Sequence, residues 1–388
     1  MKPKIIYIAG SRQHSGKTLA SLGILSLLSK DFPSEQLGYI KPVGQQVVNL
    51  KNGQTLDKDA VIIDTFTEIP ALDMEKISPV QLPAGFTKGF LTSKNQDEFT
   101  DSLKDKINRA IEMLSRKKII LAEGTGHPGV GGIVGLSNAE VSNLIDADIL
   151  YISEGGIGRA LDKMEVDLSY FKLYGSRVKG ILFNKVIPDK VEQTKKYLTE
   201  DLINKKFNSS GYSRIGIMGY LPKVDRIMNP SMKVLKSRFK THKVIGNPDN
   251  RQWEIPLNRI KVISLVAEAL YLEKYIEPGD VILIAASSKN RSSRIMRYIN
   301  IMDGYLGGLI LTSGGTTKLW PEIESLIKES NIPAILVNED TATAEQIVSK
   351  TYTNTKIQTF DTEKIKLIDE LFKVHFDYDK FLDTFVNS

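Results

Sequence analysis

The first twenty residues constrain the fold most. Lys4-Ile5-Ile6-Tyr7-Ile8-Ala9 is an apolar, β-branched run of strand length, and Leu19 to Leu28 reads as a buried helix. Between them stands Gly10-Ser11-Arg12-Gln13-His14-Ser15-Gly16-Lys17-Thr18, with five residues between its two glycines. A strand, a glycine-bounded loop ending in Gly-Lys-Thr, and a helix together form the layout of a phosphate-binding P-loop. The backbone N–H groups of such a loop and the N-terminus of its helix cradle anionic oxygens. This assigns Gly10, His14, Ser15, Gly16, Lys17 and Thr18 to a nucleotide's phosphate chain. Lys17 reaches the β- and γ-phosphates, and the Thr18 hydroxyl ligates Mg²⁺. Ser11 stands where the commoner form of the loop has glycine. The alternative is a helix N-terminus that merely carries a lysine in its first turn.

A chain of 388 residues is too long for one typical core, which predicts two domains. Its 41% hydrophobic and 25% charged residues suit a soluble globular protein. No apolar run approaches 18 residues, so no membrane span is expected. The N-terminus leads straight into a strand, so no secretory signal is expected. Cysteine is absent, which excludes disulfides, thiolate metal sites and cysteine nucleophiles and points to the cytoplasm. The net charge of +6 comes from lysines interleaved with acids rather than from a basic block. An anionic small ligand fits that distribution better than nucleic acid.

Farther along, Leu37-Gly38-Tyr39-Ile40 reads as a strand closed by Lys41-Pro42. A lysine at the carboxyl end of a strand in an open α/β sheet lies on the ligand side; a solvated turn lysine is the alternative. Asp57-Lys58-Asp59 opens a short helical pattern. These carboxylates either favour the helix N-terminus or include a metal ligand in Asp59. The buried strand Lys118–Ala122 runs into Glu123-Gly124-Thr125-Gly126-His127. Glu123 is placed like the metal-binding acid of P-loop proteins, acting directly or through water, unless it is a plain loop glutamate. His127 either contacts phosphate or caps a turn. Asn184-Lys185 ends another strand, where an asparagine offers a donor and an acceptor to a purine edge. Ile215 to Pro222 is the last strand of this series, and the repeated βα steps predict a parallel sheet with helices on both faces.

Pro230, the basic stretch Lys233–Lys243 and the turn-rich Gly246–Asn250 mark a boundary. A second α/β pattern follows, with strands near 279–284, 308–312 and 334–337 and a closing helix at 363–376. Its loop Ser313-Gly314-Gly315-Thr316-Thr317 is a candidate for anion binding. The expected fold is therefore α/β: a P-loop NTPase-like parallel sheet over 1–228, then a smaller α/β domain over 229–388 that includes the C-terminal helix.

Several of these segments resemble known families. Gly10–Thr18, Tyr39-Ile40-Lys41-Pro42-Val43 and Glu123-Gly124-Thr125-Gly126 resemble the P-loop, Lys-Pro-Val strand end and Glu-Gly-Ala-Gly turn of dethiobiotin synthetases. The resemblance implies ATP and Mg²⁺ as cofactors, with Thr18, Asp59 and Glu123 on the metal. It implies Lys17 and Lys41 as the catalytic lysines for phosphate and substrate, Asn184 as the adenine reader and Pro222 on the adenine-side loop. Ser78–Leu91, Leu136-Ser137-Asn138-Ala139 and Ser153–Gly158 extend the likeness to a dethiobiotin-synthetase-like phosphotransacetylase group. The second half resembles the domain named for its Asp-Arg-Thr-Gly-Gly motif, through Gly308–Thr312, Asp340–Glu345 and Asp361–Ile365.

Three departures matter. The acetyltransferase domain of that group is absent, which argues against acetyl transfer. The Asp-Arg pair is replaced near Ser287-Ser288-Lys289-Asn290, and Gly155-Gly156-Ile157-Gly158 differs from the substrate loop of true dethiobiotin synthetases. Two main readings remain open. One is a MgATP enzyme passing a phosphoryl group to a carboxylate-type acceptor or water. The other is a slow or non-catalytic nucleotide-dependent sensor of an acidic metabolite. A structural partner of an acyl-transfer enzyme is a third. By resemblance, a homodimer or higher homo-oligomer is expected, with no nucleic-acid or membrane partner.

Overall fold

The computed structural model describes residues 2–49, 55–69, 77–207, 214–263, 272, 274–299, 305–313, 315 and 318–387. Its contacts divide the chain into two compact units, Met1–Lys223 with Leu367–Ser388, and Val224–Lys366.

The first unit is built on six parallel strands: β1 (Lys4–Gly10), β2 (Leu37–Ile40), β3 (Ile119–Glu123), β4 (Asp148–Glu154), β5 (Arg177–Val186) and β6 (Gly216–Pro222). Their spatial order is β6-β5-β4-β1-β3-β2. The chain passes from β1 out to β2, returns to β3 beside β1, and then crosses to β4 on the other side. The ligand crevice of an open sheet lies at such a reversal, outside the carboxyl ends of the strands. The core strands are buried on both faces, so β1 and β3 read as continuous apolar runs rather than alternating ones.

Helix α1 (Lys17–Asp31) follows the P-loop and is buried almost all round, from Leu19 through Leu28. A helix apolar on every side has to be enclosed. Helices α2 (Lys58–Phe66), α3 (Gln96–Met113), α4 (Asn138–Leu144) and α5 (Ile157–Leu173) complete the layers used below. α4 starts at a reciprocal capping box. The Ser137 hydroxyl accepts from the Glu140 N–H at 3.1 Å, and the Glu140 carboxylate accepts from the Ser137 N–H at 2.9 Å.

The second unit carries a mixed five-stranded sheet of β7 (His242–Ile245), β8 (Ile260–Val262), β9 (Val281–Ala285), β10 (Gly308–Thr312) and β11 (Ala334–Val337). The order is β7-β11-β10-β9-β8, with β7 antiparallel at one edge. Successive side chains point to opposite faces. Ile282 and Ile284 join one apolar cluster with Leu309, Leu311 and Ile323, whereas Val281 and Leu283 join another with Trp253 and Ile310. Helices α6 (Lys289–Ile299), α7 (Pro321–Ser330) and α8 (Thr341–Asn354) accompany this sheet. His242 and Lys243, the end of the basic stretch expected to mark a boundary, open this edge strand. Charged residues on an edge strand discourage further pairing. Gly314, Thr316 and Thr317 of the candidate anion loop lie outside the described residues.

The two compact units do not coincide with the expected domains at the C-terminus. The expected second domain ran from 229 to the end, but the units part at Lys223/Val224, and Leu367–Ser388 belongs to the first. The division falls within α9 (Thr362–His375), which is followed by α10 (Tyr378–Phe385). The reason is packing. A Cβ on Gly23 of α1 would stand 2.3 Å from the Phe372 ring, and one on Gly180 of β5 3.0 Å from the Phe385 ring. The backbone of Phe376 bridges Gly219 of β6, and the Asp377 N–H donates to the Met218 carbonyl at 2.8 Å. The tail therefore covers an otherwise open sheet edge.

Candidate active site

The site assembles at the carboxyl ends of β1 and β3. Gly10 closes β1, and α1 begins at Lys17 after Gly16, whose φ of 100° suits glycine. A Cβ on Gly10 would lie 2.1 Å from Ser15 Oγ, so this glycine lets the loop fold back on the strand end. Ser15 is fully buried, and its Oγ has no hydrogen-bond partner within the protein. A polar atom buried in a phosphate loop without a partner fits a ligand oxygen.

Lys17 is buried and donates to the Gly126 carbonyl at 2.9 Å and the Arg12 carbonyl at 3.2 Å. Burial, followed by the neighbouring Lys41 charge, lowers its pKa to about 8. The Thr18 hydroxyl donates to Glu123 Oε1 at 2.9 Å, although 105 positions separate the two residues. Glu123 is fully buried, and its Oε2 also accepts from Ser21 at 2.8 Å and Tyr39 at 3.1 Å.

Lys41 completes the cluster. Its ammonium donates to Glu123 Oε1 at 2.8 Å, Asp59 Oδ2 at 2.9 Å and the Gly124 carbonyl at 3.1 Å. Burial alone lowers a lysine pKa, but the carboxylates of Asp59, Glu123 and Asp57 outweigh it, and the pKa of Lys41 is raised. Lys41 is therefore a buried cation and not a solvated turn lysine.

The two neighbouring acids divide their roles. Asp57 caps α2, accepting from the Asp59 N–H at 2.9 Å and from the N–H groups of Gln45 and Gln46 at 3.0 Å. With the helix end satisfied by Asp57, the Asp59 side chain turns to Lys41.

A divalent metal fits the donor set. Thr18, Asp59 and Glu123 offer hard oxygens, Thr18 bonded to Glu123 and Lys41 bridging Glu123 and Asp59, and Mg²⁺ takes few protein oxygens alongside phosphate and water. The described residues contain no group of three or more His, Cys, Asp or Glu side chains suited to a metal. Two carboxylates and a hydroxyl match an ion shared with a nucleotide better than one held by protein alone.

Other expected residues stand differently. The His127 ring nitrogen Nδ1 accepts from the Gly129 N–H at 3.2 Å, so this side chain caps a turn. Asn184 is buried under the loop. Its amide donates to the Ser15 carbonyl at 2.8 Å and accepts from the Lys185 N–H at 2.9 Å. Pro222 ends β6 in register with Val186, beside the end of β5.

Sequence reasoning did not foresee the part played by Asn138. Its amide accepts from Tyr7 OH and from the Thr125 N–H, both at 2.9 Å. It donates to the carbonyls of Thr125 at 2.7 Å and His127 at 2.6 Å. It thus fastens the turn after Glu123. The signal was present as Ser137-x-x-Glu140, the capping box that fixes Asn138 at the start of α4. Among the described residues no helix is long and apolar enough to cross a membrane.

Comparison with known proteins agrees with this geometry. A family model described as an AAA domain matches residues 4–231, more than half of the chain. The chain belongs to this AAA-domain family. The AAA domain covers β1 through β6 and every residue of the site, and it is a P-loop NTPase module with a nucleotide-binding architecture.

Three solved structures are similar to parts of the chain. One holds the CBS and DRTGG domains of the regulatory region of a Clostridium perfringens pyrophosphatase, complexed with diadenosine tetraphosphate. The match has 20% identity and TM-score 0.26 and covers 37% of this chain and 60% of that one, less than two thirds of its length. A chain of the Aquifex aeolicus MinC:MinD cell division complex matches at 12% identity and TM-score 0.35, over 58% of this chain and 83% of that one. A Borrelia burgdorferi B31 protein assigned to plasmid partition and bound to AMPPNP matches at 13% identity and TM-score 0.33, over 56% and 87%.

Proposed function

We propose that the AAA domain of this protein binds MgATP and transfers the γ-phosphoryl group to a carboxylate-type oxygen or to water. The observation that carries this reading is the 2.9 Å contact between Thr18 and Glu123, which joins the P-loop to the β3 acid with Lys17 and Lys41 beside them. Phosphoryl transfer needs positioned charge more than covalent chemistry. Lys17 exchanges its two backbone carbonyl partners for phosphate oxygens. Thr18, Asp59 and Glu123 hold Mg²⁺, which when bound neutralises charge on the phosphates. The base lies toward the ends of β5 and β6, near Asn184 and Pro222.

Lys41 faces the developing charge between nucleotide and acceptor. An acceptor oxygen attacks the γ-phosphorus, the bond to the β–γ bridging oxygen breaks, and ADP leaves. The products are an acyl phosphate, or inorganic phosphate when water attacks.

Calorimetric ATP titration tests the binding half of the proposal. Lys17→Ala removes one charged donor, which costs about ten- to a hundredfold in affinity. Equal affinity in the two proteins would overturn the assignment. ADP formation with a panel of carboxylic acids, and with water alone, tests the transfer half. Lys41→Ala is expected to change ATP dissociation by less than about threefold while cutting transfer by roughly a hundredfold, the scale of one electrostatic group. Parallel loss of both makes Lys41 a ground-state ligand and favours a sensor.

A further inference from the structure

We infer that Asn184 and Lys185 act as positioning residues for the nucleotide's phosphate chain, by pinning two carbonyls of the P-loop from beneath. The inference rests on the nucleotide-binding reading above. It reassigns a residue pair whose place at a strand end otherwise suggests base recognition.

The geometry is specific. Asn184, at the end of β5, is 2% exposed. Its Nδ2 donates to the Ser15 carbonyl at 2.8 Å, across 169 positions of sequence. Its Oδ1 accepts from the Lys185 N–H at 2.9 Å, which fixes the amide orientation. A Cβ on Gly16 would meet Asn184 Nδ2 at 2.1 Å, so the loop lies directly on this side chain.

Lys185 holds the left-handed backbone conformation at φ 55°, uncommon for a lysine. That turn aims its ammonium back at the loop, where it donates to the His14 carbonyl and lies 3.2 Å from Glu154 Oε1. Glu154 also pairs with Arg12, so three side chains brace one short loop.

The consequence follows from peptide geometry. A peptide unit is planar, so a carbonyl held on one side sends the N–H of the next residue to the other. Fixing the carbonyls of His14 and Ser15 sets the planes that carry the N–H groups of Ser15 and Gly16. The Ser15 N–H turns in to the Arg12 carbonyl at 3.4 Å and closes the loop, and the Gly16 N–H is the donor a phosphate cradle must aim before the ligand arrives; a preorganised donor needs no reorganisation on binding. One Asn184 N–H and one lone pair of its oxygen are committed to Ser15 and Lys185, and through them the side chain contributes to phosphate affinity.

Tripolyphosphate, which has no base, separates the two roles. Titrations of tripolyphosphate, ATP and GTP are compared for the wild type, Asn184→Ala, Lys185→Gly and Lys185→Arg. Glycine keeps the left-handed turn and removes the side chain, and the arginine variant keeps a cation in its place. Asn184→Ala and Lys185→Gly are each expected to weaken tripolyphosphate and ATP by the same factor, about tenfold. The ratio of ATP to GTP affinity stays unchanged, and Lys185→Arg retains binding.

Hydrogen exchange gives a readout that a general loss of stability would not. The Ser15 amide, bonded to the Arg12 carbonyl, loses protection in both variants, while those of β1 and β3 keep theirs. If Asn184→Ala does not fold, Lys185→Gly decides the matter alone. Wild-type affinity for tripolyphosphate in the folded variants, or a loss confined to ATP, overturns the inference and leaves nucleotide binding intact. Wild-type protein that binds neither tripolyphosphate nor ATP overturns the nucleotide reading, and the inference with it.

Discussion

Lys41 Nζ and Glu123 Oε1 lie 2.8 Å apart with side chains only 2% and 0% exposed, an internal ion pair at the ligand end of the sheet. Such pairs are costly to break from one side, because the remaining charge stays buried. The same ammonium also reaches Asp59, so one lysine balances both carboxylates proposed for the metal.

Replacing Lys41 by Met therefore destabilises the protein, by about 3–5 kcal/mol for a buried pair that loses one partner. Mg²⁺ is expected to restore more stability to Lys41→Met than to the wild type, because both carboxylates lose the ammonium that bridges them. Thermal unfolding with and without Mg²⁺ measures this. An equal magnesium increment in both proteins would show that Asp59 and Glu123 do not face the ion.

Gly23 and Phe372 are predicted to be energetically coupled. A methyl at Gly23 would stand within 2.6 Å of three atoms of the fully buried Phe372 ring. Gly23→Ala overpacks this contact at a cost of about 1–3 kcal/mol. Adding Phe372→Leu makes room for the methyl, so the double variant is expected to lose less than the sum of the single changes. Denaturant unfolding of the four proteins in the cycle gives the coupling, and strict additivity would argue that the helix and tail do not pack as described.

The pair Glu200–Lys380 is expected to make part of the stability acid-sensitive. Burial raises the pKa of Glu200, but the Lys380 ammonium and the Ile217 N–H overcome that and hold it below its ordinary 4.5. A carboxylate lowered in the folded state adds stability above its unfolded value and loses it as pH falls through the folded one. Lys380→Met should thus be less stable than wild type at pH 7. The two unfolding free energies should converge as pH falls through the lowered folded-state value of Glu200. Curves that stay parallel down to acid would exclude this pair as the source.

The C-terminal tail is expected to be required by the first unit. Leu371, Phe372, Phe376, Phe381 and Phe385 are all buried there. At about 1.5–3 kcal/mol for each such side chain, their removal rivals the whole stability of a typical domain. Fragment 1–228 by itself is expected to lack cooperative unfolding, and a peptide of residues 367–388 added in trans should restore it. Near-ultraviolet circular dichroism follows both. A fragment that melts like the intact chain would make the tail an accessory.

The sequence by itself determined what depends on neighbours along the chain. Lys4–Gly10 had to be a strand and Lys17–Asp31 a helix, because apolar residues fill both faces of the one and the whole girth of the other. Glu123 and Lys41 were legible as strand-end residues, since a buried run stops beside each. Only the tertiary structure decided what these groups do to one another. Lys41 is a counter-ion because parallel pairing of β2 with β3 brings it to Glu123, 82 positions away. Asn184 supports the P-loop because β5 ends beneath it, a relation no local spacing encodes. His242–Ile245 became an edge strand only through its pairing with β11, which four residues of mixed polarity do not announce. The last helices followed the second domain in sequence but joined the first in space, because Gly23 and Gly180 leave room for aromatic rings that arrive more than 200 positions later. Sequence periodicity reports which face of an element is buried; which partner buries it is a property of the assembled fold.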